Sequence, residues 1–192
     1  VDRGSSRSSG SIDPSPVDGI VDRQMLLFKT AIGTCGVAWG EAGLTEVLLP
    51  RSRSLTGERH IDGNDVPDTV RHAVGAIVAL LNGEPEDLLE VVLDERSLDE
   101  FRRRVYAATR AVGPGQTATY GEIARAIGAP GAARSVGAAL GSNPFPLIVP
   151  CHRVLAADGS LHGFSAPGAI TTKRRLLEIE CAPGFTQEAL FA

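Results

Sequence analysis

One stretch constrains this chain more than any other: Pro144-Phe145-Pro146-Leu147-Ile148-Val149-Pro150-Cys151-His152-Arg153-Val154. Prolines restrict the backbone on both sides of an apolar run and cannot continue a helix. Leu147, Ile148 and Val149 read as a short buried strand. The run ends on a cysteine with a histidine directly behind it. A thiol on a stiff apolar support, beside an imidazole, is how a nucleophile is built. An arbitrary Cys-His pair is more often a buried structural cysteine beside a surface histidine, so the rest of the chain has to decide.

At 192 residues the chain can bury a substantial core in one large domain or two small ones. No apolar run is long enough to span a bilayer, and the N-terminus lacks the apolar core of a secretory signal. Cys35, Cys151 and Cys181 are far apart and odd in number. They predict a reducing, cytoplasmic setting without a disulfide framework. No spacing points to a metal. The net charge of -4 hides an asymmetry. Residues 1–100 carry 9 Lys/Arg against 18 Asp/Glu, and residues 101–192 carry 10 against 5. The basic half holds Cys151. A basic patch on an acidic chain fits a polyanionic partner, or simply a solvated helix face.

Residues 1–18 are Ser-, Gly- and Pro-rich and predict a disordered tail. A first domain, 19–96, reads as α/β. Met25–Phe28, Gly36–Trp39 and Leu44–Leu49 form a meander of antiparallel strands, with Trp39 in its core. Residues 51–66 are a polar loop. Pro67–Leu81 is a helix with an apolar stripe, ended by Asn82-Gly83. Leu88–Leu93 reads as a further strand. His60 and His72 are surface histidines. A second, mainly α domain, 97–192, opens with Ser97 and Glu100 as a capping box for a helix facing the core through Phe101, Val105 and Ala108. Thr119 and Glu122 cap another helix, which Gly128 ends. Ala132–Leu140 is the next, and the two form a helix-turn-helix, winged-helix-like unit. Arg153-Val154-Leu155 continues as strand, Asp158-Gly159 turns, and a last helix runs from Thr171 or Thr172 to Glu180.

The helix after the turn has small residues around one long side chain, Arg134. Small residues permit a close approach, and a single inserted arginine is how proteins read the minor groove. The same small residues also suit close packing between helices.

Together these residues resemble the O6-alkylguanine-DNA alkyltransferases, the methylated-DNA–protein-cysteine methyltransferases. Ile148-Val149-Pro150-Cys151-His152-Arg153-Val154 is similar to the active-site signature of that family. Tyr120–Ala124, Ala133–Gly137, Ser142-Asn143-Pro144 and Lys173–Glu180 follow in matching order. The resemblance implies transfer of an alkyl group from O6-alkylguanine in duplex DNA to Cys151, in a single turnover. It implies that His152 is the base, acting through a water, that Glu180 orients it, and that Asn143 is the hinge residue. By the same resemblance, Tyr120 would rotate the nucleotide and contact the flipped base, and Arg134 would fill the gap in the duplex. Ala133, Ser135 and Gly137 would lie along the DNA. Pro146, Val154, Phe164 and Ser165 would line the pocket, with the Cys151 carbonyl and the Val154 and Ser165 backbone reading the guanine edge. No cofactor is implied, and the free protein would be a monomer away from membranes. Two features depart from the family. Residues 163–172 make a longer loop, with Phe164 where many members have tyrosine. The cysteine and histidine ligands that hold a zinc in some members are not evident.

The chemistry needs these groups. A free thiol, with a pKa of about 8.5, is only a few per cent thiolate at neutral pH, so a base must take its proton. Guanine leaves poorly as an anion, so a donor such as the Tyr120 hydroxyl must assist. The target carbon lies in the stack, so the base must be extruded. Arg125 and Arg153 are candidates for phosphate contacts, Arg153 equally for a buried pair. Two other readings stay open. One is a non-catalytic binder of alkylated DNA with the same fold. The other is a cysteine hydrolase using Cys151 and His152.

Overall fold

The computed structural model describes residues 24–52, 65–161 and 169–185. The expected N-terminal tail, His60, most of the 51–66 loop, Phe164 and Ser165 lie outside them. Strands β1 (Gln24–Thr30), β2 (Gly33–Gly40) and β3 (Gly43–Leu48) form the expected antiparallel meander, in the order β1-β2-β3. Side chains alternate across a pleated strand. Cys35, Val37 and Trp39 of β2 therefore enter the main core, while Ala38 joins Met25 and Leu48 on the other face. Gly43 has φ +132, and a β-carbon there would lie 2.7 Å from the Val92 carbonyl oxygen, so this tight return requires glycine.

Helix α1 (Asp68–Leu81) starts after Pro67 and buries Val70, Ala73, Ile77, Leu80 and Leu81. The expected strand at Leu88–Leu93 does not form. Leu88 is left-handed, with φ 59, Val91 N–H turns back to the Leu88 carbonyl, and only Leu93 makes a bridge, to Leu44. Arg110 explains the departure. Its guanidinium donates to the carbonyls of Leu88, Leu89 and Val91 at 2.9, 2.7 and 3.0 Å, using acceptors a sheet would need. Leu89 and Val92 are left exposed.

Helix α2 (Glu100–Arg110) is capped by Asp99, which accepts from Arg102 N–H at 2.8 Å, and not by Ser97. Its fully buried residues are Val105, Tyr106 and Thr109, a face turned slightly from the expected one; Phe101 and Ala108 are half-buried. Two-residue strand β4 (Ala118–Thr119) leads into α3 (Tyr120–Ala126), where the Thr119–Glu122 capping box forms as expected. A turn through Gly128 leads to α4 (Ala133–Gly141), which packs against both α2 and α3. A single 3₁₀ turn (Cys151–Arg153), strand β5 (Val154–Leu155) and α5 (Ala169–Ile179) follow. β5 pairs in parallel with β4, Ala118 opposite Val154 and Thr119 opposite Leu155. That short ladder sets the start of α3 beside the cysteine turn. One buried cluster runs from the sheet through α1 to α4 and the Phe145–Cys151 turn. No helix among the described residues is long and apolar enough to cross a membrane.

Candidate active site and nucleic-acid interface

The apolar run before Cys151 is buried but is a compact turn, not the expected strand. Phe145, Leu147, Ile148 and Val149 are each at most 1% exposed. Leu147 has φ 75, which breaks the extended path. Asn143 closes the turn: its Nδ2 donates to the Val149 carbonyl and its Oδ1 accepts from Phe145 N–H, both at 2.9 Å. The backbone adds Val149 N–H to the Phe145 carbonyl at 2.8 Å. Val47 N–H reaches the Pro144 carbonyl at 2.8 Å and ties the turn to β3. An apolar tripeptide between prolines cannot be told from a strand by hydropathy alone. The asparagine that supplies the missing partners is the local signal for a turn.

Cys151 opens the 3₁₀ turn and is 7% exposed; His152 and Arg153 follow, both buried. Burial pushes the Cys151 thiol up, while hydrogen bonding from Asn143 and the Lys173 charge pull it back. His152 Nε2 lies 2.8 Å from Glu180 Oε1. Burial pushes the His152 pKa down, against the Glu180 carboxylate, and so favours the neutral ring. For Glu180, burial favours the protonated form, but His152 and Arg153 outweigh it and bring the carboxyl to about 2. An ionised carboxylate can only accept, so Nε2 carries the ring proton and Nδ1 has the free lone pair. Nδ1 is buried and has no hydrogen-bond partner. The pairing thus fixes the tautomer and leaves Nδ1 as the ring's open acceptor.

Arg153 belongs to this cluster and not to a DNA-facing surface. Its Nε and Nη2 each meet a Glu180 oxygen at 2.9 Å, and Nη1 donates to the Val112 carbonyl at 2.6 Å. At 1% exposure it cannot serve as a phosphate contact.

Lys173 is the residue that sequence reading missed. It is fully buried, its Nζ donates to the Val154 carbonyl at 2.5 Å, and it lies 5.9 Å from the centre of the Tyr120 ring. Burial brings its pKa down to about 8, against the attraction of Cys151. The signal was present. Positions 173, 176, 177 and 180 share one helix face, and Leu176 and Leu177 are buried, so the lysine and glutamate at its ends point inward too. Val154 N–H donates to the Cys151 carbonyl. Of the three backbone contributors expected to read a guanine edge, the Cys151 carbonyl and Val154 thus already have protein partners, and Ser165 lies outside the described residues.

Tyr120 is half-buried at the start of α3, and burial, followed by the Cys151 charge, pushes its pKa up. Gly137 of α4 faces it: a β-carbon there would sit 3.8 Å from the ring. α4 buries Val136, Ala139 and Leu140 and exposes Arg134, Ser135 and Ala138, with Ala133 half-buried. The small residues of α4 thus pack inward and leave a low outer surface around Arg134. Arg125 is exposed on α3, and Pro146 is half-buried in the cysteine turn.

A buried thiol next in sequence to an imidazole that is paired with a carboxylate, with a buried lysine on the adjoining helix, is the composition of a site for attack by sulfur. The family model for the DNA-binding domain of 6-O-methylguanine DNA methyltransferase matches residues 100–182. A methylated-DNA–protein-cysteine methyltransferase of Methanothermobacter thermautotrophicus is 36% identical over 146 residues, covering 76% of this chain and 78% of the relative. One from Mycobacterium tuberculosis is 48% identical over 114 residues, covering 59% and 67%. The crystal structure of Mycobacterium tuberculosis OGT in complex with DNA is similar over 88% of this chain and 99% of that one, with a TM-score of 0.69 and 38% identity. The chain belongs to the methylated-DNA–protein-cysteine methyltransferase family.

Proposed function

We propose that the protein repairs duplex DNA by moving the alkyl group of O6-alkylguanine onto its own Cys151. The observation that carries this reading is the arrangement at the thiol. Cys151 stands beside a His152 whose Nε2 is committed to Glu180 at 2.8 Å and whose Nδ1 is free. The helix pair α3–α4 acts as a helix-turn-helix on the minor groove, with Ala133, Ser135 and Gly137 against the backbone. Residues 97–192 carry recognition and chemistry, and residues 19–96 form the α/β part. The free protein is a monomer.

The modified nucleotide leaves the stack, at a cost of a few kcal/mol. Arg134 enters the space and hydrogen-bonds the orphaned base. His152 Nδ1 takes the thiol proton through a water. Sulfur then attacks the alkyl carbon as the carbon–O6 bond breaks and its electron pair goes to guanine. Tyr120 shares its hydroxyl proton with the departing base, and Lys173, close to that ring, steadies the charge left behind. Asn143 and Lys173 favour the thiolate before attack. Phe164 and Ser165 are assigned to the pocket on the resemblance alone.

The product is a thioether, which has no leaving group at protein sulfur. Repair therefore stops at one equivalent. Mixing the protein with excess O6-methylguanine duplex and counting restored guanine tests this. A plateau at one guanine per chain is expected; continued turnover would overturn it in favour of a hydrolase, and tight binding with no restored guanine in favour of a lesion binder.

A further inference from the structure

Tyr106 takes no direct part in this chemistry, yet it is fully buried in α2 and its hydroxyl is aimed at the end of α4. The hydroxyl donates to the Ala139 carbonyl at 3.0 Å. That carbonyl also receives Ser142 N–H at 3.3 Å and Ser142 Oγ at 3.2 Å. The last carbonyls of a helix lack partners within it, so the donors that gather there set where the helix stops. The residue after Ser142 is Asn143. Its side chain holds the Val149 carbonyl and the Phe145 N–H, both at 2.9 Å, and so closes the turn that carries Cys151.

We infer that the Tyr106 hydroxyl is a positioning group for the nucleophile: it pins the end of α4 at the Ala139 carbonyl, which Ser142 also holds, and so fixes the Asn143 side chain that closes the Cys151 turn. A core site that needed only a ring would be filled by phenylalanine. A buried hydroxyl must find a partner, and this one spends it on the helix end that leads into the cysteine turn. α4 also carries Arg134, so the same pin joins the DNA-facing helix to the thiol. The inference rests on Cys151 as the alkyl acceptor.

The test compares wild type with Tyr106→Phe and with Ser142→Ala, an exposed substitution that removes the other side-chain donor on the Ala139 carbonyl without touching the core. Two readouts are taken on saturating O6-methylguanine duplex: affinity and the single-turnover rate. A third, the pH profile of Cys151 alkylation by iodoacetamide, needs no methyl transfer. Both variants are expected to lose about tenfold in rate, as a misplaced nucleophile does, with affinity unchanged. Their thiol profiles should move to higher pH as Asn143, which favours the thiolate, shifts out of place. Adding Tyr106→Phe to Asn143→Ala should cost nothing further. An unchanged thiol profile, or losses that multiply in the double variant, would overturn the inference. If Tyr106→Phe does not fold, Ser142→Ala decides alone. Wild-type protein that gains no methyl would instead sink the alkyl-acceptor reading and leave the iodoacetamide comparison interpretable.

Discussion

Glu180 accepts four hydrogen bonds on two oxygens: His152 Nε2, Arg153 Nε, Arg153 Nη2 and, at 3.4 Å, Gly115 N–H. Its side chain is 2% exposed, so the carboxylate survives burial only because these donors replace water. Glu180→Gln leaves Arg153 buried without its counter-ion. A loss of about 3–5 kcal/mol in urea unfolding is expected, with slower methyl transfer. The pH dependence follows from the sign of the shift. The carboxyl falls from the ordinary 4.5 to about 2 on folding. Its contribution is complete above 4.5, and it is lost as pH falls through about 2. Wild type should therefore lose stability across that window, and Glu180→Gln should lose much less there. Lys173 supplies the other charge. Lys173→Met should move the pH profile of iodoacetamide alkylation at Cys151 upward and slow methyl transfer by about tenfold or more. An unmoved profile would mean that the ammonium does not reach the thiol. Cys151 and His152 were legible from sequence because they are adjacent. Arg153 was ambiguous, because an arginine three residues after a proline reads the same facing a phosphate or a buried carboxylate. Glu180 settles it from 27 residues away.

At the scale of elements, α4 joins an inner face of Val136, Ala139 and Leu140 to an outer face led by Arg134. An arginine that fills a vacated stack matters only when there is a stack. Arg134→Ala should slow repair of O6-methylguanine in duplex by about tenfold or more, since unstacking costs a few kcal/mol. Reaction with the free modified base should be unchanged. Equal losses on both substrates would place Arg134 in the chemistry instead. The meander, α1 and the Thr119 capping box were readable because their signals are local: turn glycines, a helical stripe, a cap three residues from its partner. Two apolar runs misread as strands, Leu88–Leu93 and Leu147–Val149, share a cause. Each has strand hydropathy, but its backbone is bound by a polar side chain, Arg110 in one and Asn143 in the other. Hydropathy does not report that competition.

Across the whole molecule, Arg110 reaches from α2 to the segment that precedes it and holds three carbonyls there. Arg110→Met would strip those acceptors at once. A loss of about 2–4 kcal/mol in thermal or urea unfolding is expected, with the methyl-transfer rate per folded molecule retained. A stable variant would mean that water replaces the guanidinium freely. The charge asymmetry, acidic before residue 101 and basic after it, sits with the site: Cys151, Arg134 and Tyr120 all lie in the basic half. The central claim is that Cys151 itself receives the alkyl group. The most direct measurement is the intact and peptide mass of the chain after reaction with O6-methylguanine duplex, for wild type and Cys151→Ala. One added methyl per chain is predicted, on the peptide holding Cys151 and absent from the variant. An unchanged wild-type mass despite tight binding to the modified duplex, or a methyl on any other residue, would contradict it.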